Sequence, residues 1–451
     1  MLRKNEMYTV NIDGYSSEGL GVGRIDSQVV FIKGAIRGET CRVKIMKAQK
    51  NLAYARLEEI ITPSPHRIAP QCPVYGKCGG CHTLHMDYEE ELAFKVQRVK
   101  DALGRIGGVE VEPEVIGAPD RRGYRNKAVY NVGSRDGKPI YGFYRPHSHD
   151  IVDGSACIIQ NEPSKRAMSA VRRWMEDFGV SAYDEQRREG CVRRVFCRWG
   201  QASGELQVTV ITAQDEIPHR RALTQYICSA CPEVKSIVQN VNKTVGNTVI
   251  SGEFRTVWGS DRIDDRLCGL TFSLSPMSFY QVNHDQAQRL YARAREYAQL
   301  TGRERVIDLY CGTGTITLYM AQQAQSVLGV EIVAPAIEDA KKNAERNGVT
   351  NVEFVCADAA ETADRLVREG TRPDAVIVDP PRKGLAPEVP GDIAAMQPSR
   401  VVYVSCDPET LARDVKRFAD IGYAVTRCTA VDMFPGTGHV ETVVLMARVK
   451  D

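Results

Sequence analysis

The sequence predicts an α/β protein in three parts: a small N-terminal β-barrel, a central α+β region with a cysteine cluster, and a C-terminal doubly wound sheet. Three observations predict it. Residues 1–60 hold short alternating strands and glycine turns without a long helix. Three cysteines fall within residues 72–81. From Arg305 onward, strand, turn and helix alternate repeatedly. The length, 451 residues, suits about three domains, divided at 1–60, 61–270 and 271–451.

Composition narrows the class. Hydrophobic residues make up 43% and charged residues 26%, which excludes a disordered chain, a collagen-like repeat and a coiled-coil rod. No apolar run approaches the roughly 18 residues of a membrane span. The start, Met1-Leu-Arg-Lys-Asn-Glu6, has no apolar core after its basic residues. A cytoplasmic chain without a membrane contact is expected, and no obligatory protein partner is evident. The net charge, +2 from 59 Lys+Arg and 57 Asp+Glu, leaves the question of nucleic acid to local charge. In a reducing compartment, clusters among 14 cysteines point to metal or catalysis.

In the first segment, Tyr8–Ile12, Val29–Ile32, Cys41–Met46 and Leu52–Leu57 read as strands, with Ser17–Arg24 as a glycine-rich turn. Ten basic residues against seven acidic ones fit an oligonucleotide-binding barrel as well as one that only packs on its neighbours.

Pro63-Ser-Pro65 marks a linker. Cys72, Cys78 and Cys81 follow, with Gly79-Gly80 letting the backbone fold round an ion or cluster. Three close thiolates repel one another unless a cation holds them. A fourth ligand closes such a site; Cys157 is the best candidate and His82 the fallback. Spacing does not separate zinc from iron–sulfur. The pair Cys228/Cys231 ends an apparent helix, has no answering pair and reads as structural. Residues 121–147 carry seven basic residues and one acid, interleaved with Tyr124, Tyr130, Tyr141, Phe143 and Tyr144. That pattern suits RNA, through phosphate contacts and base stacking. It suits a solvated sheet face with core aromatics equally.

The C-terminal third carries the chemistry. Val306–Leu309 is a buried strand, Tyr310–Thr315 a glycine turn and Ile316–Ala324 a helix. Further strands end at Glu331, Asp358, Asp379 and Cys406. Ligands bind beyond the carboxyl ends of such strands. Glu331 lies 17 residues past Gly314, near the spacing of an acid that holds ribose hydroxyls, and no third glycine stands at dinucleotide spacing. Together these favour S-adenosylmethionine over a nicotinamide. Asp379-Pro-Pro-Arg-Lys-Gly384 is a rigid loop whose carboxylate can accept from a nucleobase edge. Cys406 precedes a helix capped by Asp407 with Pro408 in its first turn, a setting that favours the thiolate, although Asp407 opposes it. Cys406 is thus the candidate nucleophile. Glu441 opens the last apolar strand, either exposed or buried for a purpose, and His439 reads as a turn histidine.

These residues resemble the RNA uracil carbon-5 methyltransferases. The motifs are Ser275–Gln281, Asp308–Gly314, Asp379–Gly384, Ser405–Pro408 and His439-Val-Glu-Thr442, and the likeness spans essentially the whole chain. The first segment resembles a TRAM domain. The cysteines resemble the [4Fe–4S] site of the 23S ribosomal RNA branch of Gram-positive type, with Cys72, Cys78, Cys81 and Cys157 as ligands and zinc as the alternative. The transfer RNA branch, which typically lacks both features, is the alternative assignment. The resemblance implies that Gln281, Tyr310, Glu331, Asp358 and Asp379 contact S-adenosylmethionine or shape its pocket. It implies Cys406 as nucleophile and Glu441 as base, acting on a flipped or single-stranded uridine of 23S rRNA. The family often has Asn where Asp407 stands. The segment 91–119 is expected to pack on the catalytic unit. A cytosine carbon-5 methyltransferase and a non-catalytic RNA-binding scaffold are the rival readings.

Overall fold

The computed structural model describes residues 2–244, 246 and 248–449. Strands β1 (Met7–Tyr15), β2 (Gly21–Ile25), β3 (Gln28–Ile32), β4 (Thr40–Ala48) and β5 (Leu52–Thr62) close into a barrel in the order β1-β2-β3-β5-β4. Strand alternation turns Val10, Ile12, Val30, Ile32, Val43 and Ile45 inward, where they are buried. At Gly23 a Cβ would lie 2.2 Å from the Asn11 carbonyl oxygen, so only glycine allows β2 this close to β1. Closure removes open strand edges.

Helix α1 (Tyr88–Arg105) follows, capped by Asp87, and then the short β6 (Glu114–Ile116). The central region comprises β7 (Lys127–Arg135), β8 (Lys138–Tyr144), β9 (Ile151–Asp153), α2 (Glu162–Phe178), β10 (Val192–Gly200), β11 (Glu205–Thr212), α3 (Arg220–Ala230), β12 (Val234–Val241) and β13 (Glu253–Gly259). Its sheet runs β13-β12-β11-β10-β7-β8-β9. Trp174 and Met175 of α2 and Leu223 and Ile227 of α3 pack on Val195, Cys197, Val208 and Val210. Cys231 ends α3 buried, its thiol donating to the Pro163 carbonyl at 3.8 Å.

Hairpin β14 (Ile263–Leu267) and β15 (Leu270–Leu274) straddles residue 270 and leads to α4 (His284–Ala298). The C-terminal elements are β16 (Arg305–Leu309), α5 (Thr315–Ala321), β17 (Ser326–Glu331), α6 (Ala334–Arg346), β18 (Val352–Cys356), α7 (Ala359–Arg368), β19 (Ala375–Val378), α8 (Val389–Met396), β20 (Arg400–Ser405), α9 (Pro408–Ala419), β21 (Tyr423–Val431) and β22 (Glu441–Arg448). They build a sheet of order β18-β17-β16-β19-β20-β22-β21-β6. Strands β16 to β20 are mutually parallel, and β22 inserts antiparallel between β20 and β21. The parallel strands are apolar on both faces because helices cover both.

Residues far upstream complete this sheet. β6 pairs in parallel with β21, from Thr429↔Glu114 to Val431↔Ile116. From α1, Arg98 grips the Glu409 carboxylate of α9 with two hydrogen bonds, at 3.2 and 2.8 Å. Among the described residues, no helix is long and apolar enough to cross a membrane.

Candidate active site

The carboxyl ends of the parallel strands bring the candidate residues to one edge. Tyr310 follows β16, Glu331 ends β17, Asp379 follows β19 and Cys406 follows β20. Asp358 caps α7 just beyond β18. Glu441 arrives by another route. It opens β22, and because β22 is antiparallel its first residue lies at the same edge as the last residue of β20. The register pairs Ser405 with Thr442, which sets Cys406 beside Glu441. Gln281 is buried in the loop before α4, its carbonyl accepting from Asn126 Nδ2 at 2.8 Å.

The glycine turn is strained into shape. Tyr310 has φ 86°, a conformation side chains rarely adopt, while Gly312 and Gly314 take φ 55° and 81° at no steric cost. Glu331 braces the turn. One carboxylate oxygen accepts from Gly312 N at 3.2 Å and the other from Val333 N at 2.9 Å. The side chains after it, Ile332 and Val333, are exposed and apolar. Asp308 is fully buried at the end of β16. One oxygen takes the Thr317 hydroxyl at 2.6 Å, and the other has no partner among the described residues. An orphaned buried oxygen beside a bare turn fits a ligand with donors to offer. Asp358 has one oxygen engaged as a helix cap, accepting from Ala360 N at 2.8 Å.

Electrostatics single out a smaller group. Burial pushes Asp379 up to about 7, and Asp308 adds to it. Burial likewise lifts Asp308 to about 7. Glu441 is pushed up to about 8 by burial and by Asp379, with Arg382 pulling it back. Burial, then Glu441 and Asp379, lift Cys406 to about 11, with Arg382 pulling it back. The expected helix start is in place beside Cys406, with Asp407 capping α9 by accepting from Thr410 N at 2.9 Å, while burial and the two acids raise the thiol.

Arg382 is the residue that sequence reading passed over. Its signal was present, a cation three places after the acid of the Asp-Pro-Pro motif. His439 also belongs to this neighbourhood. Burial, then Arg382, lowers it to about 4, so it stands neutral at the end of the turn before β22.

The cysteines lie apart from these groups. Cys72, Cys78, Cys81 and Cys157 all line one cavity of about 380 Å³, with Arg125, Lys127 and Tyr144. Burial first, then Cys157, Cys72 and Cys78, raises Cys81 to about 12. His82 is not in that lining, and its backbone N–H donates to the Gly436 carbonyl at 2.8 Å. Among the described residues, no three His, Cys, Asp or Glu side chains gather tightly enough to hold a single metal ion.

The basic aromatic stretch divides differently from the RNA-stacking expectation. Tyr130 and Tyr141 are buried in the central core, edge to face at 5.6 Å. Tyr124 bonds the Pro435 carbonyl at 3.1 Å. The period of two sends Tyr130 of β7 inward, Tyr141 of β8 meets it, and Arg122, Arg135, Lys138 and Arg145 stay exposed.

A parallel sheet with a glycine turn after its first strand and acids at the next strand ends is the fold of the S-adenosylmethionine-dependent methyltransferases. Residues 256–449 match the family model described as tRNA (Uracil-5-)-methyltransferase, and residues 2–57 match the TRAM domain. The chain is 43% identical over 451 residues to an RNA methyltransferase of Clostridium tetani, covering 100% of this chain and 98% of the relative. It is 44% identical over 451 residues to one of Bacillus cereus, with the same coverage. Its structure is similar to that of the Pyrococcus abyssi tRNA (uracil-54, C5)-methyltransferase in complex with S-adenosyl-L-homocysteine, with TM-score 0.80 and 28% identity over 98% of this chain and 100% of that one. The chain belongs to the RNA uracil-5-methyltransferase family and carries a TRAM domain at its N-terminal end.

Proposed function

We propose that this protein methylates carbon 5 of uridine in 23S rRNA through a covalent adduct with Cys406. The observation that carries the reading is the pairing of β20 with β22, which sets a thiol beside a buried carboxylate at the edge where the glycine turn opens. S-adenosylmethionine supplies an electrophilic methyl on a sulfonium. Glu331 would take the ribose hydroxyls, with Tyr310, Asp358, Asp379 and Gln281 shaping the remainder of the pocket. The orphaned Asp308 oxygen supports a ligand there.

Carbon 5 of uracil is a poor nucleophile. Cys406 gives its proton to solvent, and the thiolate sulfur bonds to carbon 6 as the carbon 5–carbon 6 π pair shifts toward the carbon-4 carbonyl, leaving an enolate that Arg382 can neutralise. Carbon 5 takes the methyl as the donor's sulfur–carbon bond breaks. Glu441 accepts the carbon-5 proton, the carbon–sulfur bond breaks and Cys406 leaves as thiolate. The uridine must leave its stack, which costs about a few kcal/mol. Cys406→Ala should lower turnover by about 10³-fold or more and form no adduct. Glu441→Gln should lower it by about 10²- to 10⁴-fold and accumulate a protein–RNA adduct on denaturing gels. No adduct with Glu441→Gln would count against Glu441 as the base.

The four-cysteine cavity supports the ribosomal branch. A single zinc ion, at about 2.3 Å from each sulfur, would need the four thiols drawn close together. The four cysteines share one cavity, where a [4Fe–4S] group would be held by all four thiolates, with Arg125 and Lys127 offsetting their charge. Iron and sulfide analysis of anaerobically purified protein tests this, and one zinc per chain without iron would overturn it. We also propose a division into a barrel at 1–60, a central unit at 61–270 and a catalytic unit at 271–451, with the segment 91–119 joined to the last.

A transfer RNA substrate is the second reading, favoured by the likeness to the Pyrococcus abyssi enzyme. Methyl-labelled S-adenosylmethionine, offered with unmodified 23S rRNA and with unmodified tRNA, decides. Label as methyluridine in rRNA alone supports the proposal, and label in tRNA alone replaces its substrate.

A further inference from the structure

The segment between β21 and β22 is tethered from outside its own strands. Carbonyl by carbonyl, Asp432 accepts from Gln286 Nε2 at 2.9 Å and Met433 from Asn283 Nδ2 at 3.2 Å. Phe434 accepts from Lys95 Nζ at 3.2 Å, Pro435 from the Tyr124 hydroxyl at 3.1 Å, and Gly438 from Arg98 Nη1 at 2.8 Å. Gly436 accepts from the backbone N–H groups of His82 at 2.8 Å and Thr83 at 3.2 Å, and its own N–H donates to Glu91 at 2.6 Å. Beneath it, Lys95 bridges Glu91 at 3.0 Å and Asp432 at 2.5 Å, all three buried. Connecting loops ordinarily leave much of their backbone to solvent. This one is held almost throughout, and Glu441 follows five residues after Gly436.

One tether comes from the cysteine loop. His82 and Thr83 directly follow Cys81, one of the four thiols facing the cavity. The approach is close: Gly436 has φ 82°, and a Cβ there would lie 2.9 Å from Leu84 Cδ2. Ligation of all four would join the 72–83 loop to the turn at Cys157 through one group, and so fix the place of His82 and Thr83.

We propose that the four-cysteine site is a positioning site for Glu441: ligation of Cys72, Cys78, Cys81 and Cys157 holds His82 and Thr83 against Gly436, and so sets the start of β22. The proposal rests on the reading of Glu441 as the base. It involves no electron transfer.

The test compares the metal-loaded protein with chelator-stripped protein, with Cys78→Ser and with Tyr124→Phe. Hydrogen exchange of the 432–441 amides should quicken when the metal is lost, while exchange in the 310–314 turn and S-adenosylmethionine affinity stay unchanged. Turnover should fall about 10- to 100-fold with KM for S-adenosylmethionine unaltered, and the pH at which the rate rises should move. Tyr124→Phe cuts one tether and no cysteine, and should quicken the same amides with metal content intact. Unaltered 432–441 exchange after metal loss overturns the proposal, as does a chain that takes up neither iron–sulfur nor zinc on reconstitution. If the loaded protein methylates no RNA but the amides respond, the reading of the site fails and the coupling stands. If it methylates and the amides do not respond, the coupling fails alone.

Discussion

Cys406 and Glu441 face the same demand. In the proposed reaction each must ionise, and burial holds each proton on, to about 11 for the thiol and about 8 for the carboxyl. Arg382 lowers both. kcat/KM therefore rises with pH, steeply up to about 8, where Glu441 becomes a carboxylate, and less steeply from there toward about 11, where Cys406 becomes a thiolate. Arg382→Met should move that rise to higher pH, and a profile identical to wild type would remove Arg382 from the site. Stability carries the opposite sign. Glu441 binds its proton more tightly folded than unfolded, so its contribution is full below the unfolded value, 4.5, and is lost as pH rises through about 8. Glu441→Gln lacks that loss. Its melting temperature should exceed that of wild type more at pH 9 than at pH 5, and an equal difference at both would contradict the burial of this charge.

At the scale of elements, helix starts do double duty. Asp358 and Asp407 cap α7 and α9 while standing at strand ends that face the site. Asp358→Ala should therefore destabilise the fold by about 1 kcal/mol whatever it does to the ligand. Asp358→Asn keeps a cap and removes the charge. Equal melting with weaker S-adenosylmethionine binding, by calorimetry, would assign the carboxylate to the ligand, and equal binding would leave it a cap alone. The same scale accounts for the aromatic stretch. Alternation in β7 was visible in the sequence, but which face meets α2 was not, and that face took Tyr130.

Across the whole molecule, the barrel and the site are separate devices joined through α1. Tyr54 is 44% exposed on the barrel and stacks on Phe31 at 5.4 Å. A base stacked there would contribute about 1–3 kcal/mol. Tyr54→Ala should raise KM for RNA by about tenfold and leave S-adenosylmethionine affinity unchanged. An unchanged KM would take this pair off the RNA path. Lys95 has the wider reach, since it ties α1 to the segment before Glu441 from inside the core. A buried cation between two carboxylates cannot be removed alone without leaving uncompensated charge.

The sequence by itself determined the alternating strands of the barrel, the strand–turn–helix repeats and the strand-end positions of Glu331, Asp379 and Cys406. Those are local matters of periodicity, turn residues and caps, and they survive in any context. It left Glu441 undecided because an acid opening an apolar strand reads alike in either strand direction. Tertiary structure decided that point, since only the antiparallel insertion of β22 beside β20 brings residue 441 to the thiol. It also decided the company of each charge. Arg382 acting on Cys406 and Glu441, Lys95 under the 432–438 segment and His82 on Gly436 join residues far apart in the chain, and no spacing rule encodes such pairings.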